Sequence, residues 1–256
     1  MSMPTFTSYY WNPDLLAAAD LRAAASSLGS DDWKTRIDGF ASLLRSGDSA
    51  AQGIALDQYV YAESTARHGG GNPFESFAAD VRDVARRLLT LPPIPQRRPD
   101  GSLVAAANQA SGLGALAHLG DPSDFQNVES ILLSSEDVDA LSMACFALPR
   151  VTPSSGLGGT QLANRLAAIA ADPKRPSDLR LLAMGALGAE NSTAVLDLVA
   201  DVAERTELPF SAYAAETLAD ADLPRYRPLL DKLAASWPDN APYPASRVRN
   251  LLANGT

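Results

Sequence analysis

The sequence predicts an all-α chain organised as an α-solenoid of stacked helix pairs. Three observations carry that expectation. Apolar helix ends return at a near-regular interval: Leu116, Leu148, Leu187 and Leu218 lie 32, 39 and 31 residues apart, a period at which one helix pair stacks on the next. Small residues stand one and four positions before each leucine: Ala115 and Gly112, Ala147 and Ala144, Ala186 and Ala183, Thr217 and Ala214. Positions i and i+3 share a helix face, so this spacing lays down a narrow stripe along which two helices can approach closely. Finally, apolar residues make up 46% of the chain and aromatic ones only 7%. Much of the remainder is alanine, which favours helix, and no sustained β-branched run offers a strand.

The elements follow in chain order. Asn12-Pro13 supplies a cap and a first-turn proline, predicting a helix to Leu28 that Gly29 stops. Asp31 or Asp32 starts a second helix through Arg45, and Asp48 caps a third that reaches Arg67. The break His68-Gly69-Gly70-Gly71 follows. Asn72-Pro73-Phe74-Glu75 has a cap residue with an acid three positions on, the pattern of a capping box, and starts a fourth helix to Leu91. The segment from Leu91 through Pro92, Pro93 and Pro95 to Gly101 cannot be helical, since each proline lacks a donor and restrains its predecessor. It is read as a linker between a divergent helical part, 1–100, and a regular array, 101–256, within one continuous domain. Helices are then expected at 102–119, 122–133, 136–148, 159–171, 177–187, 191–205, 209–218, 224–236 and 244–253. Leu43, preceded by Ser42 and Gly39, marks a divergent early repeat.

The string Ala115-Leu116-Ala117-His118-Leu119-Gly120-Asp121, with its echoes at 147–151 and 186–188, resembles HEAT-type repeats, in particular the short variety found in phycobilisome-lyase-like proteins. The resemblance is clearest over 102–236 and weaker over 13–91. It implies a right-handed superhelix of helix pairs and a scaffold role. It does not by itself imply one activity, because such folds host many functions.

Charge distribution orders the two layers of such an array. No Asp, Glu, Lys or Arg occurs from Leu103 to Leu119, from Ala140 to Pro149, or from Leu181 to Ala189. A helix apolar on all sides is buried on all sides, so these second helices are expected to form the inner layer. Their small side chains favour a sealed inner face. An open one would be a recognition groove for a partner helix.

The composition narrows the function classes. A net charge of −9 argues against a general grip on nucleic acid, which needs clustered Lys and Arg, and against an anionic membrane surface. It suits a basic protein partner. The alanine-rich, lysine-poor usage is that of a GC-rich, bacterial genome. Cys145 is the single cysteine and reads as a core residue. With neither a signal peptide nor a membrane-length apolar stretch, a cytoplasmic location is expected.

Motifs for chemistry are sparse. His68-Gly69-Gly70-Gly71 matches an oxyanion-loop string, but no Gly-X-Ser-X-Gly accompanies it. Gly112-Leu113-Gly114 fits a loose dinucleotide pattern without its strand. Gly156, Gly158 and Gly159 read as a turn. Two histidines and one cysteine are too few for a metal-site motif, so neither a cofactor nor a metal is expected. The leading expectation is a non-catalytic protein-binding module, either an adaptor or regulatory subunit or an immunity- or antitoxin-like inhibitor. Its candidate contacts are Arg36, Gln109, Arg180, Met184, Tyr213 and Glu216. The alternative is an enzyme of a HEAT-like branch, bilin-lyase-like or DNA-glycosylase-like. No chromophore pocket is evident, and tryptophans at 11, 33 and 237 without a basic stripe reduce the glycosylase likeness to the fold.

Overall fold

The computed structural model describes residues 8–66, 71–98, 100–154, 156–157 and 160–254. Among them the fold is all-α, with one hairpin of two-residue strands. The chain divides into two compact units, Met1–Thr152 and Pro153–Thr256.

The first unit holds α1 (Ala19–Ser27), α2 (Trp33–Arg45), α3 (Ser49–Ala66), α4 (Ala78–Leu89), β1 (Gln96–Arg97), β2 (Leu103–Val104), α5 (Ala107–Leu119), α6 (Phe125–Ser134) and α7 (Val138–Val151). Asp32 caps α2 through the Thr35 N–H at 2.9 Å, Asp48 takes the Ala50 and Ala51 N–H groups at the start of α3, and Asp137 caps α7 through Ala140. Each acceptor satisfies a donor that the first helical turn leaves free. Helices α2 and α3, α4 and α5, and α6 and α7 pack in pairs, and α5 lies against α3, α4 and α7. This side-by-side packing of pairs is compatible with a solenoid.

The small-residue stripe has the expected consequence. A Cβ on Gly112 would stand 2.9 Å from Leu89 Cδ2 and 3.1 Å from the Ala85 carbonyl, so α4 and α5 meet almost backbone to side chain. Gly39 is the counterpart in α2, where a Cβ would meet the Ala24 carbonyl of α1 at 2.7 Å.

Three stretches of the first unit differ from the sequence expectation. The helix expected from Asn12 to Leu28 is a 3-10 turn, Pro13–Leu15, followed by α1. Between them the Arg22 guanidinium takes the carbonyls of Leu16 and Ala17, and Leu16 is buried in an extended conformation. The helix expected from Asn72 opens as a 3-10 turn, Glu75–Phe77, and α4 starts at Ala78. Phe74 is turned inward there to stack on Phe40, with ring centroids 4.2 Å apart. The helix expected from 102 starts at Ala107, because Leu103 and Val104 pair with Arg97 and Gln96 across a turn at Gly101, whose φ of +85° suits glycine.

The Pro-rich stretch is held inside this unit. The Asn108 side chain accepts from the Ile94 N–H at 2.7 Å and donates to the carbonyls of Leu88 and Pro92, tying the start of the stretch to α5.

The second unit holds α8 (Thr160–Ala171), α9 (Ser177–Gly188), α10 (Thr193–Arg205), α11 (Phe210–Ser236) and α12 (Ala245–Asn254). Helix α11 is two helices joined at Asp222, whose backbone is non-helical (φ −157°, ψ 73°). This matches the two helices expected around residues 219–223. The Asp222 carboxylate accepts from the Arg225 N–H and so caps the second half. Helices α9 and α11 run in the same direction. The Arg180 guanidinium lies over the Phe210 ring at 3.5 Å, and eight residues on from Arg180 a Cβ on Gly188 would meet Thr217 Cγ2 at 2.9 Å. The turn at Gly156 has φ +87°, and Glu190 accepts from the Leu157 N–H beside it. His68, Gly69, Gly70, Gly158 and Gly159 lie outside the described residues.

Candidate protein-binding face

In the first unit the uncharged helices become the centre of the packing. From Ala110 to Leu116 every residue of α5 is buried, as are Ala140, Leu141, Ala144, Cys145, Ala147 and Leu148 of α7. Helices α3, α5 and α7 lie side by side, and what covers their shared face decides what it can bind.

At one end the chain covers this face itself. Residues Ser8 to Trp11 cross α3 and α5 at Asp57 and Ser111. The Ser8 hydroxyl and the Tyr10 N–H donate to Asp57 Oδ2. Ser111 donates to Asp57 Oδ1 at 2.7 Å and accepts from the Trp11 indole N–H at 2.8 Å. Asp57 is 1% exposed, and burial pushes its carboxyl up to about 6, with the hydrogen bonds from Ser8 and Ser111 pulling the other way. Arg98 completes the strap. It donates to the Tyr9 carbonyl, sits over the Tyr10 ring, and pairs with Asp139 of α7 at 2.6 Å.

The following turns carry no such cover. Three residues on from Asp57 and Ser111, Val60 and Met143 meet over Gly114. Val60 Cγ2 and the Met143 sulfur lie 3.6 and 3.7 Å from where a Gly114 Cβ would be. One turn further, the His118 ring meets Phe146 edge-on with centroids 6.0 Å apart. Phe146 remains 42% exposed. Val138, Ser142 and Phe146 stand at i, i+4 and i+8 on α7, one face of the helix, and Val138 is 38% exposed. The face is therefore strapped at Asp57, closed by side chains at Gly114 and open at Phe146.

Of the six candidate contacts, Arg36 and Gln109 belong to the first unit and Arg180, Met184, Tyr213 and Glu216 to the second. Arg36, in the first turn of α2, lies over the Trp33 ring at 4.8 Å and donates to the Ser30 carbonyl just before that helix. Gln109 is half-buried and lies five residues from Gly114, on the other side of α5. Arg180 is 9% exposed and donates to the Ala170 carbonyl at 2.9 Å. Met184 is core at 4% exposed. Only Tyr213 and Glu216 come together, through Tyr243. That ring is edge-on to Tyr213, and its hydroxyl donates to Glu216 at 3.0 Å. Glu216 is itself buried and also accepts from Arg247, which bonds Asp220 with both terminal nitrogens. Arg247 and Arg249 thus hold the last helix in place. Arg180, Met184 and Glu216 are each buried, and Arg180 and Glu216 already bond a helix end or a neighbouring helix.

Phe146 and the Ser8–Trp11 strap were not marked by the sequence. Phe146 stands in a run of apolar residues with nothing to separate it from its buried neighbours, and the strap depends on partners 47 to 100 positions away. Among the described residues no helix is long and apolar enough to cross a membrane, and no group of three His, Cys, Asp or Glu side chains is placed to hold a metal ion. Comparison with protein-family models, curated proteins and solved structures gives no match.

Proposed function

We propose that this chain is a non-catalytic protein-binding module that docks a basic partner on the apolar end of α5 and α7. The observation that carries the reading is the exposure of Phe146, which meets the His118 ring, on a helix whose buried residues include Leu141, Ala144, Cys145, Ala147 and Leu148. Large aromatic side chains ringed by neutral neighbours are the usual anchors of protein interfaces. The unit Met1–Thr152 contains 18 acidic and 11 basic residues, and so carries seven of the nine net negative charges. Such a field steers a basic surface towards the face and disfavours an acidic one. An adaptor, a regulatory subunit and an immunity-type inhibitor would all use this combination.

The test compares tagged wild type with Phe146→Glu, both recovered from the native host and both checked for folding by circular dichroism. An equimolar basic partner retained by the wild type, released by salt and lost with the variant supports the reading. Equal recovery by the two proteins places the interface elsewhere.

A further inference from the structure

The second unit contains a cavity of about 390 Å³ between the end of α10, the start of α11 and the end of α11. Its lining includes Glu204, Glu207, Leu208, Ser211, Leu233 and Trp237. The volume is in the range of small-ligand sites.

Two polar side chains in its lining, Ser211 and Trp237, bond no described group. Ser211 is 2% exposed. Its backbone N–H bonds the Glu207 carbonyl, but its hydroxyl bonds no described group. Trp237 is 7% exposed, and no described group accepts its indole N–H. Both residues line the same cavity, so a ligand held there is the partner within reach of the hydroxyl and the indole N–H. By contrast, Thr206 and Ser236, also in the lining, satisfy their hydroxyls on the Val202 and Leu233 carbonyls.

The carboxylates add a second requirement. Glu204 is paired with Lys232 at 2.9 Å. Glu207 is exposed and has no cation beside it among the described residues. Helices α10 and α11 both end at the cavity, and helix C-termini favour positive charge. The wall is held in shape by Arg249, which donates to the carbonyls of Ala234, Trp237, Pro238 and Asp239.

We infer that this cavity binds a guanidinium- or ammonium-bearing ligand with a carbonyl-type acceptor, its cation on Glu207 and its acceptor on the Ser211 hydroxyl and Trp237 indole N–H. Leu208 and Leu233 would pack against the stem between the two groups. The inference is independent of the Phe146 face, which lies in the other unit. The ligand can be a free small molecule or an arginine side chain of a peptide, since both present the same chemistry.

The test follows the indole N–H resonances of the full-length ¹⁵N-labelled protein, with Trp237 assigned from Trp237→Phe. The probes are N-acetyl-arginine amide, its neutral isostere N-acetyl-citrulline amide, and a glycine-flanked arginine pentapeptide. The arginine probes are expected to shift the Trp237 resonance saturably, and the citrulline probe to leave it in place. Glu207→Gln should weaken binding about tenfold and Ser211→Ala by about threefold, in keeping with the loss of a charge-assisted and a neutral hydrogen bond. Lys232→Gln, which frees Glu204, should leave binding unchanged or tighten it. Tighter binding of the pentapeptide than of the amide assigns the ligand to a protein segment, and equal binding assigns it to a free molecule. No shift of the Trp237 resonance by either arginine probe overturns the inference. So does weaker binding with Lys232→Gln, or binding indifferent to Glu207→Gln.

Discussion

The indole of Trp11 occupies the space that a side chain at position 53 would need. A Cβ on Gly53 would lie 2.2 Å from Trp11 Nε1 and 2.3 Å from its Cε2. Trp11 is 1% exposed, so the ring has nowhere else to go while the strap stays docked. A helical glycine that costs about 1 kcal/mol relative to alanine in propensity is retained here as a notch for a tryptophan.

This notch predicts opposite signs for two glycine substitutions. Gly53→Ala gains helix propensity but overpacks against Trp11, and is expected to destabilise the protein by about 1–3 kcal/mol. Gly185→Ala, in α9, has no atom within 4 Å of the added Cβ and is exposed, so it is expected to stabilise by up to about 1 kcal/mol. Urea midpoints of the two variants measure both. A Gly53→Ala protein as stable as wild type would mean that the strap does not depend on the notch.

Asp57 gives the strap a pH dependence. Its carboxyl is raised from 3.8 to about 6 by burial, so between those values the folded chain holds a proton that the unfolded chain has lost. The stabilising contribution is complete below about pH 4 and disappears as the pH rises through about 6. Asp57→Asn resembles the neutral carboxyl and has no proton to lose. Wild type is therefore expected to lose stability relative to this variant, on the order of 3 kcal/mol, between pH 4 and pH 7. Denaturation of the pair at a series of pH values reads the difference, and parallel curves would refute it.

Arg86 is predicted to matter more than any exposed ion pair. Its Nε and Nη2 bond the two oxygens of Asp124 at 2.7 and 3.1 Å, and Nη2 also reaches Asp121 at 3.0 Å. Asp124 is 1% exposed and belongs to the capping box of the 3-10 turn Pro122–Asp124, which leads into α6. Arg86→Ala leaves that carboxylate without its cation and is expected to cost about 2 kcal/mol. Arg205→Ala breaks a pair whose partners are both exposed and is expected to cost under about 0.5 kcal/mol. Comparable losses in thermal or urea unfolding would contradict this ranking.

Cys145 is expected to be inert in the folded protein. It is 2% exposed, and burial pushes its thiol up to about 12, so the reactive thiolate is scarce at neutral pH. A disulfide reagent added at pH 8 should label it only at the rate of unfolding and at once in urea. Rapid labelling of the native protein would show that α7 opens on its own.

The elements legible in the sequence were those with a local cause. Asp32 and Asp48 cap their helices where the sequence places them, and the small residues at 39 and 112 mark close helix approaches. Asp222 separates the two halves of α11 near the expected break. Misreadings occurred where a distant side chain overrode a local signal: Arg22 captured the carbonyls of Leu16 and Ala17, and Phe74 turned inward onto Phe40. The candidate contacts were harder still. Arg180 and Glu216 look like surface charges in sequence, and their burial depends on Ala170, Phe210, Tyr243 and Arg247.

By itself the sequence determined the all-α class, the order of the helices and the uncharged helices that form the centre of the first unit, because propensity, capping and periodicity act over a few residues. Tertiary structure alone decided that Ser8 to Trp11 would lie across Asp57 and Ser111, that Phe146 would remain outside while its neighbours went in, and that Ser211 and Trp237 would share one cavity. Those outcomes depend on which side chains far apart in the chain come within a few ångströms, and on which buried polar groups then find partners.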